Sequence, residues 1–149
     1  MQIVLAHIGS RPAAKDPSAA LTAMYLERIS THARCSSESF RDENSLFSWT
    51  DRQQQRTPAV TVLLDSRGRQ LSSENFAEWL GRQRDSGTQL LIFAIGPPDG
   101  WTDASRKRAS LLLSLGPMTL AHTLARMVMA EQIYRAFTIL TGHPYHSGH

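Results

Sequence analysis

This sequence predicts an α/β fold with a mainly parallel sheet and helices on both faces. Three observations carry that expectation. The runs "QIVLAHI", "AVTVLLD" and "TQLLIFAIG" are short and almost continuously apolar, as strands buried on both faces are. Stretches of helical period alternate with them, the pattern of parallel crossovers. The 149 residues, 41% of them hydrophobic, are enough for one domain with a real core, so residues 1–149 read as a single unit.

Taken in order, "QIVLAHI" is the first strand. Asp16-Pro17 opens a helix, with Asp as cap and Pro in the first turn. Leu21, Met24, Tyr25, Arg28 and Ile29 follow at helical spacing, with the arginine at the stripe's edge. "CSSESF" is a candidate short strand, 44–55 a helix of weaker pattern, and "DRQQQRTP" a polar loop. "AVTVLLD" is rich in β-branched residues and reads as a strand, "SRGRQLSS" as a loop. Ser72 or Ser73 caps a helix in which Phe76, Trp79 and Leu80 share a face. "TQLLIFAIG" is a strand, "GPPDG" a tight turn, then come a short basic helix and a last strand in "SLLLSL". The final helix runs from about 119 to 141, where Gly142 and Pro144 stop it. Leu120, Leu124, Met127, Val128, Ile133, Phe137 and their neighbours make it apolar nearly all round, so it needs burial on more than one side. A homodimer interface on one face accounts for that; a helix crossing the core of one chain is the other account.

Several function classes drop out. The turns after the strands, "LLDSRG", "AIGPPDG" and "LSLGPMT", hold glycines that let a ligand approach the backbone. None is a G-x-G-x-x-G, Walker A or G-x-S-x-G motif, so neither a standard nucleotide fold nor an α/β-hydrolase is indicated. No apolar run nears the roughly 18 residues of a membrane span. The start lacks the basic, long apolar character of a signal peptide, and Cys35 is the only cysteine, so a cytoplasmic protein is expected. The formal charge is +3, and from Arg106 onward five cations face only Glu131. Nearly all are arginine, which suits bidentate phosphate contact, although a solvated basic face explains them as well.

Two groups of residues carry candidate chemistry. His122 and Arg126 lie four apart on the last helix, with His122 in its first turn, where the helix dipole favours a neutral, proton-accepting imidazole. The ending "TGHPYHSGH" crowds His143, Tyr145, His146 and His149 behind a helix stop. Its histidines are three apart, but Pro144 and Gly148 interrupt the segment and no carboxylate is near in sequence, so no metal site is assigned.

"LGPMTLAHTLARMVMAEQIYRAFTILTGHPYH" closely resembles the C-terminal signature of the RlmH family, SPOUT-class methyltransferases acting on a pseudouridine of large-subunit (23S) ribosomal RNA. The likeness is strongest from "LLIFAIGPPDG" onward and extends to "VTVLLDSRG" and "YLERI". It implies a C-terminal deep trefoil knot, a homodimer, and S-adenosyl-L-methionine held by Leu64, Gly96, Leu115, Gly116, Pro117, Met118, Thr119 and Leu120. It implies that Tyr145 and His146 complete the partner subunit's active site, His146 as general base for the N3 proton and Tyr145 against the base, with His122 orienting the tail or the substrate. Arg126, Arg135 and His149 are the implied RNA contacts, on free ribosomal RNA or the assembled ribosome. A non-catalytic knotted RNA-binding protein is the alternative reading. The chain departs from the family pattern at Pro97, which has no amide N–H, at Ala121, and in its Ser147-Gly148-His149 ending.

Overall fold

The computed structural model describes residues 1–53 and 56–147. Five strands, β1 (Gln2–Ile8), β2 (Arg34–Phe40), β3 (Val60–Gln70), β4 (Leu90–Ile95) and β5 (Leu111–Ser114), form one sheet in the order β2-β1-β4-β3-β5, with every pairing parallel. The helices are α1 (Pro17–Ser30), α2 (Glu43–Arg52), α3 (Ser73–Asp85), α4 (Asp103–Arg108) and α5 (His122–Thr141), followed by a 3-10 turn, Pro144–His146. Among the described residues no helix is long and apolar enough to cross a membrane.

Strand alternation divides the core. Ile3, Leu5, Leu91, Phe93 and Ile95 face one side of the sheet, where α1, α3 and α5 cover them. Val4, Ala6, Leu90, Ile92 and Ala94 face the other, against Leu46 and Phe47 of α2 and Trp101. This is the expected layering, and it explains why the strands read as unbroken apolar runs. Four helices start on side-chain caps: Asp16, Asp42, Ser72 and Thr102 each accept a backbone N–H from the first turn. Gly142 ends α5 in the left-handed conformation, φ 73°, and the His143 amide reaches back to the Thr138 carbonyl.

Three expectations need correction, and the burial of α5 falls between its two accounts. On α1 the buried positions are Thr22 and Ile29, and Leu21 points to solvent, because the helix meets α5 one residue round from the predicted stripe. α5 begins at His122, not near 119; Ala121 is its cap, so 119–121 stay extended. The apolar circumference of α5 is largely accounted for within one chain, because the helix lies on the sheet between α1 and α3. The predicted loop over 66–70 is part of β3: Leu113 pairs first with Leu64 and then again with Arg69, so 65–68 bulge outward and the strand rejoins its neighbour.

Candidate active site

The carboxyl ends of β3, β4 and β5 open into one cleft of about 570 Å³, the place where parallel sheets take ligands. Its walls are the β3 bulge (Asp65, Ser66, Arg67), the turn 96–101, the segment 115–121 and the first turn of α5. Of the residues predicted to hold the cofactor, Leu64, Gly96, Leu115, Gly116, Met118, Thr119 and Leu120 line this cleft; Pro117 does not. Gly116 has φ 125° and open space where a Cβ would point, and Met118 is 82% exposed, so backbone and apolar side chains face the cavity together. That combination fits a flat aromatic base and a thioether-like chain better than a phosphate group, for which the cleft offers no helix N-terminus dressed with glycines.

Two buried interactions hold the walls. The indole of Trp101 donates to the Leu64 carbonyl at 2.9 Å and lies against Gly96, where an added Cβ would sit 2.7 Å from the ring. Arg106 of α4 donates from Nε to Asp65 at 2.6 Å and from Nη1 to Asp103 at 2.8 Å. Burial alone would raise the Asp65 carboxyl; Arg106 and the Arg67 amide override it and hold it below the ordinary value. Sequence reading missed Trp101 and Arg106. The signal for Trp101 was its place directly after "GPPDG"; nothing local marks the pairing of Asp65 with a residue 41 positions away.

His122 belongs to the cleft. Its Nε2 lies 3.0 Å from the Gly96 carbonyl, so this nitrogen carries the hydrogen, and its ring meets His7 edge to face at 5.6 Å. The tail is elsewhere. Tyr145 donates to Glu131 at 3.0 Å, sits 3.4 Å from the Tyr25 hydroxyl and packs edge-on against Tyr134. Burial, with Tyr25 and Glu131 beside it, pushes the Tyr145 phenol upward, so it stays a donor. Glu131 comes nine residues after His122 on α5, about 13 Å along the axis. Among the described residues the tail therefore folds back to mid-helix, and none of it lines its own chain's cleft. His146 is half-buried, and its Nδ1 finds no hydrogen-bond partner among the described residues.

Two of the predicted RNA contacts, Arg126 and Arg135, are engaged within the fold. Arg126 is 8% exposed and donates to Ser37 of β2. Arg135 grips Glu131 through Nε (3.0 Å) and Nη2 (2.6 Å) and lies 5.1 Å from the Tyr145 ring. Neither presents a free charge on the surface; Arg135 holds the tail instead. The prediction for His149 lies outside the described residues. Cys35 is no nucleophile, since burial pushes its thiol up to about 11.

Two histidines give the fold a pH dependence. Burial lowers His7, its bond to Ser10 opposes that, and Arg126, His122 and Arg11 lower it further. Burial, then His143, lowers His32, which stacks on Phe137 at 5.2 Å. Below the ordinary value of 6.5 the unfolded chain binds these protons more readily than the folded one, so stability is fully present above that pH and falls as acid is added. Thermal melts between about pH 5 and 8 will show the midpoint dropping on the acid side, and His32→Gln will flatten the slope.

The comparisons with known proteins agree with this layout. The family described as "Predicted SPOUT methyltransferase" matches residues 1–146. The ribosomal RNA large subunit methyltransferase H of Koribacter versatilis (strain Ellin345) is 51% identical over 129 residues, which are 87% of this chain and 88% of that one. Among solved structures, a probable methylase family protein from Haemophilus influenzae Rd KW20 aligns over 97% of this chain and 69% of its own, with TM-score 0.54 and 9% identity. The SpoU methyltransferase AviRb of Streptomyces viridochromogenes, in complex with AdoMet, covers 91% and 57% at TM-score 0.50 and 12% identity, a likeness of fold alone. The fold and the sequence match define a SPOUT-class methyltransferase, and within that class the chain belongs to the RlmH family.

Proposed function

We propose that this chain methylates N3 of a pseudouridine in large-subunit (23S) ribosomal RNA, with S-adenosyl-L-methionine as methyl donor. It acts as one SPOUT-type domain, in a homodimer, on cytoplasmic ribosomal RNA or ribosomes. The observation that carries this reading is the cleft: seven residues that family resemblance assigns to the cofactor, from three separate stretches of chain, line one cavity beyond the strand ends. Membership of the RlmH family supplies the substrate class. The sheet order, with β4 inserted between β1 and β3, supports a knotted C-terminal half in which β5 and α5 complete the cleft.

When bound, S-adenosyl-L-methionine supplies a methyl group on a positively charged sulfur. Leu115, Met118 and Leu120 would hold its apolar part, and the Gly96 carbonyl and the 115–120 backbone would offer partners for its polar groups. N3–H of the uracil-type ring must lose its proton to become a good nucleophile; the N3–carbon bond forms as the sulfur–carbon bond breaks. His146 takes that proton, as the family resemblance implies, an imidazole being the side chain suited to a general base near neutral pH. Because Tyr145 is anchored to Glu131, six residues beyond Ala125 at the cleft's edge, His146 serves the second copy's site, brought there by two-fold pairing. Leu124 of α5, 44% exposed beside the cleft and not among its lining, supplies apolar contact for that pairing. RNA phosphates are held by the exposed cations at the same end, Arg67 on the cleft wall and Arg11 and Lys15 before α1, in place of Arg126 and Arg135.

The test is transfer of labelled methyl from S-adenosyl-L-methionine to ribosomes lacking this modification, beside matched ribosomes with uridine at the target. Label on the pseudouridine substrate alone is the expected result. Cofactor binding without transfer to any ribosomal RNA would instead establish the non-catalytic RNA-binding reading.

A further inference from the structure

His7 is one of the most enclosed polar side chains in the molecule, 1% exposed, and nothing in the reaction described above uses it. It stands near the end of β1, paired in register with Ile95, the residue before Gly96. Its Nε2 lies 3.0 Å from the Ser10 carbonyl. A carbonyl only accepts, so Nε2 holds the hydrogen and Nδ1 is a bare lone pair in the neutral ring. The same logic puts the His122 hydrogen on Nε2, 3.0 Å from the Gly96 carbonyl. The two rings meet edge to face, 5.6 Å apart at 71°. One rigid line of contacts thus runs from Ser10 through both imidazoles to the backbone of the cleft.

The surroundings disfavour a charge on His7. Arg126 and His122 face His7 from α5 and Arg11 faces it from the segment before α1, all of them basic. Its register partner on β2 is the uncharged Ser39, and Ser37 beyond it is engaged by Arg126. His7 Nδ1 and Arg126 Nε are both buried without a hydrogen-bond partner among the described residues. Packing alone does not explain two such costs side by side; a site kept for another purpose does.

We propose that His7 is a positioning residue for the cofactor cleft, fixing the His122 ring and, through it, the Gly96 carbonyl. This rests on the reading of the cleft as the S-adenosyl-L-methionine site. A neutral His7 holds His122 in one tautomer and one orientation. Protonation of His7 adds a donor and a charge to an already basic corner, so the rings separate and the Gly96 carbonyl loses its fixed donor.

The experiment has two readouts on the full-length protein. One is S-adenosyl-L-methionine affinity by calorimetry from about pH 5.5 to 8. The other is the ¹⁵N chemical shifts of the His122 imidazole without cofactor, which report its tautomer. In the wild type, His122 carries its hydrogen on Nε2 and affinity falls on acidification. His7→Ala mixes the tautomers, weakens cofactor binding about 5- to 10-fold, as loss of one buried hydrogen-bond constraint does, and leaves KM for the ribosome unchanged. His7→Phe keeps the ring contact, restores affinity and the single tautomer, and removes the acid-side loss. A His7→Ala protein with unchanged tautomer and affinity, merely melting earlier, would overturn the proposal. So would a His7→Phe profile identical in pH dependence to the wild type, which also decides the matter should His7→Ala not fold. If the wild type binds no S-adenosyl-L-methionine, the cofactor reading falls, while the tautomer measurement still decides whether His7 positions His122.

Discussion

Two variants that are inactive alone recover methyl transfer when their subunits are mixed and allowed to exchange. The first is His146→Ala, which removes the proposed base and lowers turnover by roughly 100-fold or more, the usual contribution of general acid–base catalysis. The second is Thr119→Trp, which fills the cleft from an exposed position and abolishes cofactor binding without entering the core. The tail of each chain is tied to its own α5 by Tyr145–Glu131 and by Arg135, and on the proposed homodimer reading each complete site takes its tail from one subunit and its cleft from the other. Random exchange makes half the dimers mixed, and each mixed dimer has one intact site, so roughly a quarter of wild-type activity returns. Each homodimer alone stays inactive. Mixed dimers that form, as native mass spectrometry would report, yet remain inactive would mean that tail and cleft do not meet across the two-fold axis.

The strands and helices were legible because burial on both faces leaves a mark that any sequence carries, the unbroken apolar run. The candidate cofactor residues were legible for a different reason, since Leu64, Gly96 and the 115–120 segment follow strand ends and match a family signature. What was not legible lies in contacts between distant residues. Over 66–70 the chain reads as polar loop, and only the Leu113 backbone, called on twice, makes it strand. Arg126 looks like a surface cation until Ser37, 89 positions away, is placed beside it. Arg135 is the instructive miss. Glu131 stands four residues before it, the spacing and order that favour an ion pair on a helix, so its neutralisation could have been read directly. His7 lies inside the first strand's apolar run, and its meaning appears only when α5 brings His122 against it.

The largest stability loss from a single methyl group is expected at Gly68. The β3 bulge leaves the sheet after Leu64 and rejoins it at Arg69, and it can do so only by passing close over the Leu112–Leu113 peptide. A Cβ at Gly68 would stand 2.6 Å from the Leu112 carbonyl carbon and oxygen and 2.7 Å from the Leu113 nitrogen. These are backbone atoms of a neighbouring strand, so no side chain can turn aside to relieve the clash. Gly68→Ala therefore forces β3 from β5 and costs about 3 kcal/mol, the upper range for overpacking. That is a fall of roughly 6–12 °C in Tm for a domain of this size. Because Asp65, Ser66 and Arg67 ride on the same bulge, S-adenosyl-L-methionine binding weakens with it. Gly81→Ala is the matched control. There the new methyl meets the tip of Leu140, 3.0 Å away, and the end of Arg84, 4.0 Å away, both of which can rotate, and alanine gains about 1 kcal/mol of helix propensity inside α3. Thermal melts of the pair separate the two situations: equal, small shifts would mean the bulge has room to move, whereas a large drop at Gly68 alone means that this contact shapes the wall of the active site.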